Sequence, residues 1–292
     1  MQRILILFFL LANIFMHPAF AEESPRLPQG DFSELKQTGL ATVTAIIDPQ
    51  TVQLEDGHIV RLAGLDFPDL NPNEPGEFSL ISMKILRDML EGKPVILYQT
   101  TNRDEGRINR MGQDIAHLQR QSDKAWVQGA LLSLGLARVR TMQRNPEMAQ
   151  QMYDLEQAAM KEKQGIWEKF TRVLTPEETP DHIGSFQIVE GQIKSASIKQ
   201  NRIYLNFGND WRTDFTVSIA PEDKRAFSKK KLDPLQWNGQ KVRVRGLLDD
   251  YNGPYIEINH PAAIEIAVET SSPAPSQLPS SSKLPIVEKD VH

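Results

Sequence analysis

No cysteine occurs in the 292 residues, which excludes disulfides, thiolate metal sites and a lipid anchor carried on cysteine. A surplus of positive charge is also missing. With 33 Lys and Arg against 38 Asp and Glu, the formal net charge is -5, so there is no broad basic footprint of the kind that releases counterions from nucleic acid. Contacts of that sort would rest on local clusters. Long apolar runs are scarce as well: the most prominent, Ile4 to Met16, is too short for a comfortable membrane span. It follows Arg3 and leads into Ala19-Phe20-Ala21. A charged start, a short apolar middle and a small-x-small end predict a secretory signal peptide over 1–21, cut after Ala21, the alternative being a retained N-terminal anchor. The expectation is an exported protein, periplasmic or secreted, without a stable span once matured. Without disulfides, such a protein relies on ordinary core burial.

What remains divides by composition. Residues 22–38 are polar with Pro, Gly and Ser, a flexible lead-in, and "TPEETPDHIGS" within 174–185 reads as a linker. The Ser/Pro-rich tail over 268–292 is too poor in large apolar residues to pack. Two folded segments are therefore expected, at 39–173 and 186–267.

The first opens with strands: "ATVTAII" is β-branched, "TVQLED" alternates, Asp56-Gly57 signals a hairpin turn, and "HIVRLAGLD" resumes the run. A helix follows in "EFSLISMKILRDMLEGK", with Gly92 as its stop, then the strands "PVILYQT" and "GQDIAHLQ", then two helices in "AWVQGALLSLGLARV" and "PEMAQQMYDLEQAAMKEKQGIW". The second segment offers five strand candidates and a short polar helix at "PEDKRAFSKK". That pattern suits a small, partly open barrel. The fold class expected is mixed α+β, mostly β.

Five stretches then carry a resemblance in chain order: "AIIDPQTVQL", "VRLAGLDFPD", "NRMGQDIAHL", "GLARV" and "KEKQGIW". They resemble the I-D-G-D-T-V strand, the R-x-x-x-x-D-T-P-E run, the D-x-Y-G-R-x-L-A-Y region, the G-L-A-x-V helix end and the K-x-G-I-W signature of the staphylococcal-nuclease, or thermonuclease, family. The resemblance implies an OB-type five-stranded barrel with three helices. It also implies hydrolysis of DNA and RNA phosphodiesters with a calcium ion, a glutamate that activates water and two arginines that hold the phosphate. The second segment is similar to a small OB-like β-barrel domain that follows such domains in some exported bacterial proteins.

Carried over residue by residue, the resemblance places Asp66 as a metal ligand, Phe67 as a metal ligand through its backbone carbonyl, and Arg61 as the first phosphate arginine. Three positions depart from the pattern. Gln50 stands where the second metal aspartate is expected, and its neutral amide weakens divalent binding. Asp69 stands for the catalytic glutamate, one methylene short of where a water should sit. Gln113 stands for the second arginine and lacks its bidentate cationic grip. Asp48 survives but matches a non-ligand aspartate. Losing one transition-state donor costs about a hundredfold to a thousandfold in rate, and a misplaced base a further factor of about 100 to 10,000.

The function expected is thus a thermonuclease-like protein with a degraded catalytic set, a non-catalytic module for nucleic acid or a partner such as an envelope protein. The alternative is a weak or altered metal-dependent phosphodiesterase using Asp66 and Asp69. In the second segment, Tyr204, Phe207, Trp211, Phe215, Tyr251 and Tyr255 near Arg202, Arg212, Arg243 and Arg245 form either a base-stacking platform or, as the favoured reading, barrel filling. The run Lys224 to Lys231 reads as a solvated helix face. His117, His182 and His260 show no metal-ligand spacing.

Overall fold

The computed structural model describes residues 27–71, 73–210 and 212–266. The expected signal peptide, the tail after 267 and Trp211 lie outside the described residues. Strand β1 (Leu35–Asp48) is followed by β2 (Thr51–Leu54), β3 (Ile59–Leu62) and β4 (Leu65–Asp66). Helix α1 (Glu77–Leu90) leads to β5 (Pro94–Thr100) and β6 (Asp114–Arg120). Then come α2 (Val127–Ser133), β7 (Arg138–Val139), α3 (Ala149–Lys161) and the single turn α4 (Ile166–Lys169).

Five of these strands close a barrel in the order β1-β2-β3-β6-β5, as the nuclease-type fold class requires. Closure depends on the length of β1: its first half pairs with β5 and its second half with β2. Register shifts between Gln37 and Gly39, Val43 and Ala45, and Ile46 and Asp48 bend it from one partner to the next. The seam is the parallel pair of β3 with β6, from Val60 opposite Asp114 to Leu62 opposite Ala116. Alternation then sends Val52, Leu54, Val60, Leu62, Val95, Leu97, Ala116 and Leu118 into one core, sealed by Leu86 of α1 and Leu131 of α2.

Outside the barrel, two motif glycines let the end of α2 meet the start of α4. Gly135 and Gly165 both have positive φ, 64° and 56°, and a Cβ on Gly165 would lie 2.2 Å from the Gly135 carbonyl oxygen. Ile166 N–H donates to that same oxygen at 2.8 Å. The "GLARV" and "GIW" stretches therefore meet backbone to backbone, which only glycine permits.

Three sequence expectations need correction. The lead-in is packed from Leu27 onward: Phe32 is buried, stacks on Tyr98 with centroids 4.2 Å apart, and β1 already begins at Leu35. The linker stretch contains a 3-10 helix, Pro176–His182, held by a reciprocal capping box between Thr175 and Glu178. The stretch "FQIVEGQIKSA" is two strands, β8 (Phe186–Gln192) and β9 (Ser195–Lys199), because the chain switches sheets between them.

Beyond these lie β10 (Arg202–Asn206), β11 (Thr216–Ile219), α5 (Lys224–Lys229), β12 (Lys241–Leu247), β13 (Asp249–Asp250), β14 (Pro254–Glu257) and β15 (Ile264–Ile266). They form a five-stranded sheet, β13-β14-β11-β10-β9, and a three-stranded one, β15-β12-β8. Both enclose a second apolar cluster that includes Phe207, Phe215, Phe227 and Trp237. The two segments share buried contacts: Tyr153 of α3 donates its hydroxyl proton to the Ala262 carbonyl, and Thr141 bonds His260 at 2.9 Å.

Buried histidines make this fold acid-sensitive. Burial pushes His117 down to about 3 and His260 down to about 4. Below the usual value near 6.5, the unfolded chain takes up these protons while the folded one does not, so stability rises with pH in that window and falls on acidification. Each histidine should contribute a slope of about 1 kcal/mol per pH unit until its folded pKa is reached. Urea unfolding from about pH 7 to about pH 4.5 checks this. His117→Phe should flatten the slope, and an unchanged slope would assign the acid sensitivity elsewhere.

Candidate functional site

Of the residues that the resemblance singles out, Gln50 and Arg61 are in contact, and all of them are already engaged within the protein. Gln50 follows a turn in which Asp48 Oδ1 accepts the Gln50 N–H at 2.7 Å. Its side chain is buried: Nε2 donates to the Leu65 carbonyl at 3.1 Å, and Oε1 accepts from Arg61 Nη2. The arginine thus finds its partner in the glutamine and not in an acid, as expected of the Thr51–Arg61 register between β2 and β3. Beside it the buried Thr51 hydroxyl has no partner among the described residues; it is neutral and adds no charge.

Asp66 sits at the end of β4, and β4 pairs antiparallel with β7 so that Asp66 faces Arg138. Arg138 donates to Asp66 Oδ2 from Nε at 3.1 Å and from Nη2 at 2.7 Å. Arg140 Nη1 approaches Oδ1 at 3.4 Å. The carboxylate is 12% exposed and the Arg138 side chain 5%, so this is a buried pair whose charges need one another. The Phe67 carbonyl accepts the Leu70 N–H at 3.0 Å in the turn that follows.

Asp69 serves helix α1. Its Oδ2 accepts the N–H groups of Phe78 at 2.8 Å and Ser79 at 3.2 Å, and its Oδ1 accepts the Ser79 hydroxyl at 2.6 Å. These are orphan donors of the first turn, which a carboxylate satisfies while also complementing the helix dipole. A Cβ at the preceding Gly76 would come within 2.5 Å of that carboxylate, so the loop is shaped around this cap. Gln113 is tied into the β5–β6 loop: Asn109 Nδ2 donates to its Oε1 at 2.7 Å, and its N–H donates to Asn109 Oδ1 at 3.1 Å. Arg107 in the same loop donates from Nε to the Thr100 carbonyl at 2.9 Å. Arg103 and Arg110 are exposed.

The donor set does not fit calcium. That ion needs several oxygens, preferably with charge, yet both Asp66 oxygens face guanidinium groups, Gln50 Oε1 faces another, and the Phe67 carbonyl is in a turn. Among the described residues no three His, Asp or Glu side chains gather as a metal-holding group.

Residues 59–169 match the family model described as Staphylococcal nuclease homologue. That stretch contains Arg61, Asp66, Asp69 and Gln113 and three of the five barrel strands, β3, β5 and β6, and it supports a nuclease-like domain. A comparison with curated proteins found no match.

Sequence reasoning missed Arg138 and Arg140. Their signal was available in "ARVR": residues two apart on a strand share a face, here the face toward Asp66. In the second segment the arginines expected as a basic rim are taken up by acids. Arg202 pairs with Glu257, Arg243 with Glu190 at 2.7 Å, and Arg245 with Glu156 and Glu265. Phe207 and Phe215 are buried against each other, leaving Tyr251 as the exposed aromatic of that group among the described residues. No helix among the described residues is long and apolar enough to cross a membrane.

Proposed function

We propose that this chain is an exported, non-catalytic module on a nuclease-type barrel, and that its ligand is nucleic acid. The observation that carries the reading is the capture of Asp66 by Arg138: the carboxylate that a hydrolytic metal would need is spent inside the protein. Asp69, at the position of the family's water-activating acid, is likewise occupied, capping α1, and this supports the same reading. Support for nucleic acid comes from the matched family and from Arg61, half-buried at the barrel end with a neutral partner. The exposed Arg103 and Arg110 of the β5–β6 loop offer two further cations for the phosphate backbone. Export rests on the signal-like sequence of 1–21.

Fluorescence anisotropy with a labelled single-stranded DNA tests the binding half. Three arginine contacts predict a slope of about -2 for log affinity against log salt, reduced in Arg61→Gln. The same sample, given calcium, magnesium or manganese in turn, should release no product, and calorimetry should register no saturable calcium heat. Calcium-dependent cleavage accompanied by calcium binding would overturn the proposal.

A further inference from the structure

A second candidate site is a cleft of about 700 Å³ lined by residues of both segments. Its walls come from the Asp66–Pro68 turn, β7 and the 166–174 stretch on one side, and from residues 182–187 with Leu247 on the other. Arg138 is fully committed there, to Asp66 and, through Nη2, to the Phe186 carbonyl at 3.0 Å. Arg172 is neutralised by Glu178 at 2.7 Å. Arg140 is different: its side chain is 47% exposed, and its one acidic contact is the long 3.4 Å approach to Asp66. Its guanidinium lies 4.8 Å from the centroid of the Phe186 ring, which holds the group flat while leaving donors for a ligand.

Trp167 lines the same cleft with a buried ring whose indole nitrogen is out of a ligand's reach. Apolar surface is exposed beside it: Phe170 and Leu247, both in the lining, are each about half exposed.

We infer that this cleft binds a small aromatic oxyanion. Arg140 takes the oxyanion, and Phe170 with Leu247 take the flat apolar body. Neither Arg61 nor Gln113 lines the cleft, although Asp66 and Phe67 do, so a variant of Arg140 tests this binding apart from DNA binding.

Calorimetric titration of the full mature chain with phenyl phosphate and with benzoate tests this. Saturable binding of either probe at millimolar concentrations is expected, and the preferred probe tells a phosphate site from a carboxylate site. Losing one charge-assisted hydrogen bond should weaken that binding about tenfold or more in Arg140→Gln. Arg87→Gln, an exposed change on α1 outside the cleft's lining, should leave it unchanged. Thermal melting confirms that each variant is folded; because Arg140 is half exposed, Arg140→Gln is expected to melt like the parent. Absence of saturable binding for both probes, or equal binding by the parent and a folded Arg140→Gln, would overturn the inference.

Discussion

Replacing Asp66 with alanine is expected to destabilise the protein by about 3–5 kcal/mol, because Arg138 would be left as an uncompensated buried charge. The expectation runs against what a metal-binding role implies. Acids gathered for a cation repel one another in its absence, so removing one should stabilise the metal-free protein. Here Asp66 has two arginines and no neighbouring acid in its contacts, so the sign reverses. Urea denaturation of the parent and Asp66→Ala, without added metal, measures it. Replacing both partners, Asp66→Leu with Arg138→Met, should recover much of the loss. A stabilised Asp66→Ala protein would return this carboxylate to the list of ligand candidates.

A loss of similar size is expected at the other buried ion cluster. Arg245 of β12 is held by Glu156 of α3 at 2.7 Å and Glu265 of β15 at 2.9 Å, and the Glu156 side chain is 0% exposed. The Glu156 Oε2 contact is an ion pair without hydrogen-bond alignment, and Arg245 Nη1 has no acceptor. Although burial works against the guanidinium charge, the two glutamates and Tyr153 hold its pKa above the ordinary value, and the Tyr153 ring lies 4.3 Å beneath it. Arg245→Met leaves Glu156 charged in a dry site and should cost about 5 kcal/mol. Glu156→Gln keeps an acceptor for the Val139 N–H, now 2.7 Å from Oε1, and leaves Glu265 on the arginine, so its cost should sit nearer 3 kcal/mol. Equal and small losses, below about 1 kcal/mol as for exposed pairs, would show that water reaches this cluster.

The barrel was legible in sequence because its causes are local. Alternation marks the strands, Asp56-Gly57 the hairpin, and two glycines the point where the "GLARV" and "GIW" backbones touch. The capping box at Thr175 and Glu178 was legible too, as T-x-x-E, but the surrounding Pro and Asp residues read more readily as a connector. What escaped was long-range. Asp66 and Arg138 are 72 positions apart and meet through two strands of two residues each, too short for any periodicity to announce. The departures at Gln50, Asp69 and Gln113 were visible as substitutions, but their present partners were not. Only the fold shows that each side chain has other work: joining strands, capping a helix, closing a loop.

The reach of Arg138 to the Phe186 carbonyl has a consequence for how the chain can be divided. Two apolar clusters and a connection between them invite a cut near residue 174, giving one piece with the barrel and another with the two sheets. Such a cut separates Arg138 from Phe186, Tyr153 from Ala262 and Glu156 from Arg245. Each fragment would inherit a charge or polar group whose answer is on the other. The boundary that composition draws is thus a joint in the chain but not a joint in the electrostatics.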